Sequence, residues 1–241
     1  MLETNHLTKK YGDFTAVSDL NLSVHKGTIF GFLGHNGAGK TTTLSMLTTL
    51  ILPSDGSALI GGYDVVKDNL KVRSLLGYLP ENIMLYGDLT AAENLKFFGR
   101  LSGVDKLDTR IDDVLTLLGL WEWKNRKVKT FSKGMRQRIG IAQAVLHKPE
   151  ILFLDEPTSG LDPQGTRDMH DILLKLNREL GTTIFMNTHI LSEVTKICTD
   201  IGIISKGRLL LADSLINIEK RFPEAKSVEE IYFKMEGGGT Y

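Results

Sequence analysis

The chain has 241 residues, of which 41% are hydrophobic and 24% are charged, as is usual for a globular protein. This length suits one large α/β domain, or a core domain that carries a smaller insertion. The 29 lysines and arginines equal the 29 aspartates and glutamates in number, so the charge does not favour a protein that binds nucleic acid. Cys198 is the single cysteine, which excludes an internal disulfide and argues against a zinc site made of cysteines.

Two features of the sequence bear on the location of the protein. The segment from Met1 to Gly12 lacks the apolar core and the small residues of a signal peptide. Apolar runs such as Ile29–Leu33 are far shorter than the roughly 20 residues that a membrane-spanning helix needs. We therefore expect a cytoplasmic protein, unless a partner holds it at a membrane.

Short apolar runs alternate with stretches of helical pattern along most of the chain, which predicts a mainly parallel sheet with helices packed on it. The first two runs flank a turn near Gly12 and Asp13, so we expect an antiparallel β part at the N-terminus. The predicted strands are Leu2–Lys10, Leu20–Val24, Thr28–Leu33, Leu75–Leu79, Ile151–Leu154, Thr183–Met186 and Ile201–Ile204.

The apolar pattern from Leu89 to His147 is helical almost throughout, without a strong strand. We interpret about 89–147 as an α-helical subdomain inserted into a core of about 1–88 and 148–215, within one domain over 1–236. The remainder, 216–241, is expected to hold a short helix and a flexible tail with three glycines. The predicted apolar stripes are Ala92, Leu95, Phe98 and Leu101, and Ile111, Val114, Leu115 and Leu118.

A glycine-rich segment follows the predicted strand Thr28–Leu33 and precedes a helical pattern. Its sequence, Gly34-His35-Asn36-Gly37-Ala38-Gly39-Lys40-Thr41, matches the phosphate-binding P-loop at every fixed position. Glycines let backbone N–H groups converge on phosphate oxygens, and the helix that begins near Lys40 adds the positive end of its dipole. We expect Lys40 to contact the β- and γ-phosphates, Thr41 to bind Mg²⁺ and Thr42 to bond a phosphate oxygen. The segment predicts a nucleoside triphosphate site.

A predicted buried strand ends in two acids, Asp155 and Glu156, whose side chains point in different directions because strand residues alternate. Asp155 suits the metal side of the site, where it would hold the water ligands of Mg²⁺. Glu156 is then free to orient the attacking water or to accept its proton. His189 follows another predicted strand, at the edge of a parallel sheet where ligands bind. With Lys40, Glu156 and His189 are the candidate catalytic residues.

Four more segments follow the P-loop in order: Phe131-Ser132-Lys133-Gly134-Met135, Asp155-Glu156-Pro157, Ser159-Gly160-Leu161-Asp162 and Thr188-His189. In this order and spacing they resemble the ATPase subunit of the ABC transporter family, over nearly the whole chain. The first segment lies where that family has its signature, Leu-Ser-Gly-Gly-Gln, and Asp162 lies in its D-loop. Tyr11 lies where the family stacks an aromatic ring on adenine, and Glu81 where it usually has a glutamine that helps to hold Mg²⁺.

The resemblance implies a P-loop NTPase fold that binds ATP and Mg²⁺ and hydrolyses ATP. It also implies a dimer with a second copy or a homologous subunit, in which the segment Ser132–Met135 of one subunit caps the ATP held by the other. A separate integral membrane permease would be the further partner, which places the chain on the inner face of the cell membrane. No nucleic acid is expected, and the cargo is left open.

The chain departs from the family pattern at three positions. Lys133 and Met135 replace a glycine and a glutamine of the signature, and Glu81 replaces a glutamine. We expect Lys133 to attract the ATP of the opposite subunit, and Glu81 to keep the ability to bind Mg²⁺ while adding a third acid to the site.

The segment Asn82–Tyr86 is unusually apolar for a loop, and two interpretations stay open: burial against the helical subdomain, or docking of a permease helix. The segments Lys133–Met135, Leu79–Glu81 and Ser227–Tyr232 are most similar to ATPases of exporters that move drugs, lipids, polysaccharides or antibiotics.

Two other functions are alternatives. One is a non-transport ABC ATPase that acts as a switch on nucleic acid or ribosomes, although such proteins usually carry two ATPase units or basic insertions. The other is a nucleotide-binding regulatory subunit with little turnover, because the signature is altered.

Overall fold

A computed structural model gives the structure of residues 1–236, so the predicted glycine tail 237–239 lies outside the described residues. The strands are β1 (Leu2–Tyr11), β2 (Phe14–Val24), β3 (Ile29–Leu33), β4 (Asp55–Ile60), β5 (Tyr63–Asp64), β6 (Leu76–Leu79), β7 (Ile151–Asp155), β8 (Thr183–Thr188), β9 (Asp200–Ser205) and β10 (Arg208–Ser214). The α-helices are α1 (Lys40–Leu47), α2 (Asn69–Leu75), α3 (Ala91–Leu101), α4 (Leu107–Leu117), α5 (Lys133–Val145), α6 (Pro163–Leu180), α7 (Leu191–Ile197), α8 (Leu215–Arg221) and α9 (Val228–Glu236). Short 3₁₀ helices lie at Trp121–Trp123 and Val128–Thr130. No helix within the described range is both long and apolar enough to cross a membrane.

The larger sheet has six strands in the order β10-β9-β3-β8-β7-β6, and its pairings are parallel except for the β9–β10 hairpin. Every residue of β3, β7 and β8 is buried, because helices cover both faces of a parallel sheet. This explains why these strands are continuous apolar runs in the sequence. The prediction of an α/β fold with a mainly parallel sheet is confirmed.

The smaller sheet is antiparallel, in the order β2-β1-β4-β5. It confirms the expected N-terminal antiparallel part, but the sequence analysis missed β4 and β5. Strand β4 begins with Asp55 and Gly56, residues that are depleted in strands, and β5 has only two residues. Pairing with β1 places Leu2 opposite Ile60 and buries Ala58 and Ile60. The strand therefore depends on a distant partner rather than on its own composition.

The helices α3, α4 and α5 lie between β6 and β7, in the region predicted to be helical. All four residues of the second predicted stripe, from Ile111 to Leu118, are buried. The first stripe is partly wrong: Leu95 is buried as predicted, but Leu101 is 72% exposed, and the helix also buries Ala91 and Asn94, which lie outside the predicted stripe. The side chain of Asn94 bonds the backbone N–H and C=O of Tyr86. A search for apolar residues cannot find a buried amide of this kind.

The C-terminal part contains two helices, α8 and α9, where one short helix was predicted. Ser214 is the N-cap of α8, and its hydroxyl accepts a hydrogen bond from the N–H of Asn217. Such a cap is a sequence signal for a helix start that the apolar pattern did not reveal. Val228, Ile231 and Tyr232 bury one side of α9 in the main core.

The tight packing of β6 against α5 gives a test of this core. A Cβ on Gly77 would lie 2.2 Å from the carbonyl oxygen of Ala144. Because two backbones would have to separate, we expect Gly77→Ala to lower the free energy of unfolding by about 1–3 kcal/mol, measured by urea denaturation. Gly87→Ala is the control, since its Cβ would lie at an ordinary 3.4 Å from Lys129 Cβ. Equal stability of the two variants would contradict the packing described.

Candidate nucleotide-binding site

The P-loop joins β3 to α1 and needs glycine at several positions for steric reasons. Gly37 and Gly39 have φ values of 84° and 109°, a region that other residues adopt only with strain. A Cβ on Gly34 would lie 2.5 Å from the carbonyl oxygen of Ile204. The loop therefore keeps a bare backbone at the N-terminus of α1, which is the arrangement that binds phosphate.

Lys40 begins α1 and is only 6% exposed. Its Nζ donates a hydrogen bond to the carbonyl oxygen of Gly34 at 2.6 Å and lies 3.7 Å from Oε1 of Glu156. Burial lowers the pKa of Lys40, and the nearby charges of Glu156 and Asp155 act in the opposite direction. The side chain thus presents a partly desolvated cation beside the loop, where an anionic oxygen would interact with it strongly.

Glu156 and His189 come from neighbouring strands and contact each other. Nδ1 of His189 lies 2.9 Å from Oε2 of Glu156. Glu156 has a φ of 50°, so its backbone leaves the strand direction of β7, and its N–H donates to the carbonyl oxygen of Asn187. The structure therefore brings all three candidate catalytic residues, Lys40, Glu156 and His189, into one cluster.

Asp155, the last residue of β7, bonds Asn187 and takes no part in the contact between Glu156 and His189. Its Oδ1 accepts a hydrogen bond from Nδ2 of Asn187 at 3.1 Å, and both residues are buried. Oδ1 of Asn187 has no hydrogen-bond partner within residues 1–236. Asn187 was not among the predicted site residues, although it directly precedes Thr188-His189, and it orients the carboxylate that was assigned to the metal.

The proposed Mg²⁺ ligands consist of oxygen donors, which is the chemistry that this ion prefers. Thr41 and Glu81 are exposed, and Asp155 is buried at the end of β7. The negative charges of both Asp155 and Glu81 act on Lys40, so the two acids lie near the P-loop. Within the described part of the chain, no group of three or more His, Cys, Asp or Glu side chains forms a metal cage. These residues fit an ion that is also held by phosphate oxygens and water.

Tyr11 ends β1 and has a half-exposed ring, with Nζ of Lys9 at 5.2 Å from its centroid. The β1–β2 hairpin passes close to the P-loop, since the carbonyl oxygen of Ala16 is 2.7 Å from where a Cβ on Gly39 would lie. The ring is thus exposed on an element that contacts the phosphate loop. No hydrogen bond within residues 1–236 joins Tyr11 itself to that loop.

The signature segment begins α5. Ser132 is the N-cap, and its Oγ accepts a hydrogen bond from the N–H of Met135 at 3.2 Å. Nζ of Lys133 packs against Gly160 in the same chain, and Gly134 lies near Leu161. In the part of the chain that the structure describes, no hydrogen bond or ion pair connects the segment Ser132–Met135 to the P-loop.

Asp162 acts as the N-cap of α6, where its Oδ1 accepts a hydrogen bond from the N–H of Gly165 at 2.7 Å. Since Lys133 contacts the preceding Gly160, the D-loop and the start of α5 are neighbours. The structure therefore gathers the predicted site residues into two groups: the P-loop with its acids and His189, and the signature with the D-loop.

The C-terminal helix α9 also reaches the P-loop, which the sequence analysis did not foresee. Oε1 of Glu236 lies 3.5 Å from Nε2 of His35 and 3.3 Å from Oγ of Ser205. Burial, with the negative charge of Glu236, raises the pKa of Tyr232 to about 12. His35 of the P-loop is thus contacted by a residue of the C-terminal helix.

Comparison with known proteins identifies the family. The family model described as ABC transporter matches residues 17–159, a range that includes the P-loop, the signature segment and both acids at the end of β7. This chain belongs to the ABC transporter family. An uncharacterized ABC transporter ATP-binding protein of Bacillus subtilis, YhcH, is 44% identical over 87% of this chain and 68% of its own length. The bacitracin transport ATP-binding protein BcrA of Bacillus licheniformis is 43% identical over 92% of this chain and 72% of its own length.

Solved structures of the family have the same fold. An ATP-binding subunit of an ABC transporter superposes with a TM-score of 0.86 at 28% identity, covering 98% of this chain and 99% of that one. A bacterial ABC transporter cassette solved as a dimer has a TM-score of 0.79 at 25% identity, covering 89% of this chain and 99% of that one. The ABC ATPase architecture predicted from the motifs is confirmed.

Proposed function

We propose that this chain is the ATP-binding and ATP-hydrolysing subunit of an ABC exporter. The observation that carries the proposal is the cluster of Lys40, Glu156 and His189. Nζ of the buried Lys40 lies 3.7 Å from Oε1 of Glu156, the candidate base, and Nδ1 of His189 lies 2.9 Å from Oε2 of Glu156. Relatives named for bacitracin transport and for linearmycin resistance support the exporter class. Similarity to these relatives is the only indication of what the protein transports.

In this proposal the P-loop backbone binds the phosphates of ATP, Lys40 contacts the β- and γ-phosphates, and Tyr11 stacks on the adenine. Thr41, Asp155 and Glu81 would hold Mg²⁺, which neutralises phosphate charge when it is bound. Asn187 keeps the Asp155 carboxylate oriented through the bond at 3.1 Å.

Glu156 is the proposed group that acts on water, and its nearly buried carboxylate has Oε2 at 2.9 Å from Nδ1 of His189. It orients the attacking water and accepts its proton. His189 bonds the γ-phosphate or helps to hold the water. In this proposal the bond between Nδ1 of His189 and Oε2 of Glu156 opens when one of these atoms takes phosphate or water as its partner.

A second copy of the chain would complete the site. No hydrogen bond or ion pair within residues 1–236 joins the signature segment to the P-loop of its own subunit, and a helix start with exposed Ser132 and Lys133 is suited to an anion. We propose that this segment, with Lys133, Gly134 and Met135, contacts the γ-phosphate of ATP held by the partner, with Asp162 at the same interface. ATP would then hold two head-to-tail subunits together, and hydrolysis would release them.

The membrane permease would dock on a groove beside the helical subdomain. The proposed bounds of this subdomain are about 89–147. The groove measures about 440 Å³ and is lined by Tyr78, Leu79, Ile83, Met84, Leu85 and Phe98, among others. The burial interpretation applies to Ile83 and Leu85, which pack against the core, whereas Met84 is 84% exposed and docking at this segment stays a prediction. A permease at this groove would hold the chain on the inner face of the membrane.

The base role of Glu156 gives a first test. Glu156→Gln is expected to lower kcat for ATP hydrolysis by about 100-fold or more while ATP still binds, because the amide cannot accept the proton. Steady-state ATPase and nucleotide-binding assays measure the two effects, and Glu122→Gln, at an exposed site, is the control. If Glu156→Gln hydrolyses ATP at the wild-type rate, Glu156 is not the base.

The altered signature gives a second test. In Glu156→Gln protein with ATP, we expect Lys133→Ala to weaken dimerisation by about threefold to tenfold at low salt and by less at high salt, because salt screens the lost attraction. Sedimentation at two ionic strengths measures this. Lys127→Ala, at an exposed lysine before the signature, should have little effect. Unchanged dimerisation in Lys133→Ala at both salt concentrations would refute the electrostatic role.

The groove gives a third test. Met84→Glu is expected to abolish copurification with an integral membrane protein while basal ATPase stays within about twofold of wild type, because the charge lies in an exposed apolar surface. Leu70→Glu, at an exposed leucine on α2 outside the groove, is the control. Equal loss of ATPase in Met84→Glu would indicate a folding defect, and copurified ribosomes or DNA would favour the alternative class of ABC ATPase.

A further inference from the structure

Glu193 is a buried acid that none of the predicted roles uses. It lies in the first turn of α7 and is only 4% exposed. Its Oε2 accepts a hydrogen bond from Oγ1 of Thr158 at 2.6 Å, and Thr158 is 3% exposed. A buried carboxylate is costly unless hydrogen bonds or charges compensate it. Its presence at this position therefore calls for a reason other than filling space.

The bond between Thr158 and Glu193 joins the same two segments that carry the candidate catalytic pair. Thr158 follows Glu156 after β7, and Glu193 follows His189 after β8. These segments are thus connected twice, once by Glu156 and His189 and once by Thr158 and Glu193. The two connections differ in their exposure to water.

The outer connection is accessible and the inner one is not. The His189 side chain is 47% exposed, so water or a phosphate oxygen can replace its bond to Glu156. The inner bond is buried, and a hydrogen bond in the interior is electrostatically stronger than one in water. The inner bond can therefore persist while the outer one opens.

His170 on α6 is the third member of the buried group. Its Nε2 lies 4.0 Å from Oε2 of Glu193, and the side chain is 7% exposed. This nitrogen has no hydrogen-bond partner within residues 1–236. Glu193, on the helix α7 that follows His189, thus accepts a hydrogen bond from the segment after β7 and lies close to the helix α6 that follows the D-loop.

We propose that Glu193 is a positioning residue for the hydrolytic site. Through Thr158 it keeps the loop of Glu156 and the loop of His189 at a fixed separation, so that both side chains return to the same place after their mutual bond has opened to nucleotide and water. This role rests on the proposed ATPase function. It accounts for a carboxylate retained in the interior, where an apolar side chain would fill the space at lower cost.

Two small substitutions of Thr158 distinguish the effect of its hydrogen bond from the effect of its packing. Thr158→Val keeps the shape and removes the donor, whereas Thr158→Ser keeps the donor and removes a methyl group. We expect Thr158→Val to lower kcat about tenfold with KM for ATP and nucleotide affinity within about twofold, because misplacement of the catalytic groups affects turnover more than binding. Thr158→Ser should retain most of the wild-type kcat.

A second measurement does not depend on ATPase activity. In the protein without nucleotide, hydrogen exchange of the amides of Ile190–Val194 should be faster in Thr158→Val than in Thr158→Ser, because the inner bond no longer holds α7. If wild type shows no turnover, the proposed function fails, and this exchange measurement still decides whether the bond positions the loops.

A double substitution then tests whether Thr158 acts through Glu193. The loss of kcat in Thr158→Val with Glu193→Ala should be no greater than in Glu193→Ala alone, since both remove one interaction. Additive losses would overturn the proposal. So would wild-type kcat in Thr158→Val, or an equal loss of kcat in Thr158→Ser, which would point to packing. If Glu193→Ala does not fold, the comparison of Thr158→Val with Thr158→Ser decides whether the proposal holds.

Discussion

The parallel pairing of β3, β8 and β7 brings the carboxyl ends of three neighbouring strands to one edge of the sheet, and the candidate site depends on this arrangement. In the observed register Leu33 is opposite Thr188, and Asp155 is opposite Asn187. The P-loop, His189 and Glu156 follow directly from these strand ends. A shift of one residue in the β7–β8 pairing would put the Asp155 and Asn187 side chains on opposite faces of the sheet. The register thus fixes the relative positions of groups that lie far apart in the sequence.

Burial and charge act together at this edge. Lys40, Asp155 and Glu156 are all buried, and a buried charge is tolerated only where opposite charge or hydrogen bonds compensate it. Desolvation lowers the pKa of Lys40 while the two acids oppose that effect. A triphosphate would add anionic oxygens next to this cation. Desolvation of Lys40 destabilises the folded protein, but it strengthens the proposed interaction with those oxygens.

Two links of different exposure connect the segments that follow β7 and β8. The accessible link contains Glu156 and His189, the groups proposed to act on water and phosphate, and the buried one contains Thr158 and Glu193. A site that must release and rebind its ligand in each cycle needs side chains that move and a frame that does not. In the proposed mechanism the pair at the surface moves, and the pair in the interior keeps the two segments in place.

The sequence by itself determined the features that are local. A glycine pattern between a strand and a helix marks the P-loop, and continuous apolar runs mark strands that are buried on both faces, so the fold class and Lys40, Asp155 and Glu156 could be predicted. Only the tertiary structure decided the contacts between distant residues. Strand β4 needs β1 as a partner, Asn187 bonds Asp155 at a separation of 32 residues, and Glu193 bonds Thr158 at a separation of 35. Periodicity reports which side chains are apolar, but it cannot show which buried polar groups meet, because that depends on how the strands are ordered in the sheet.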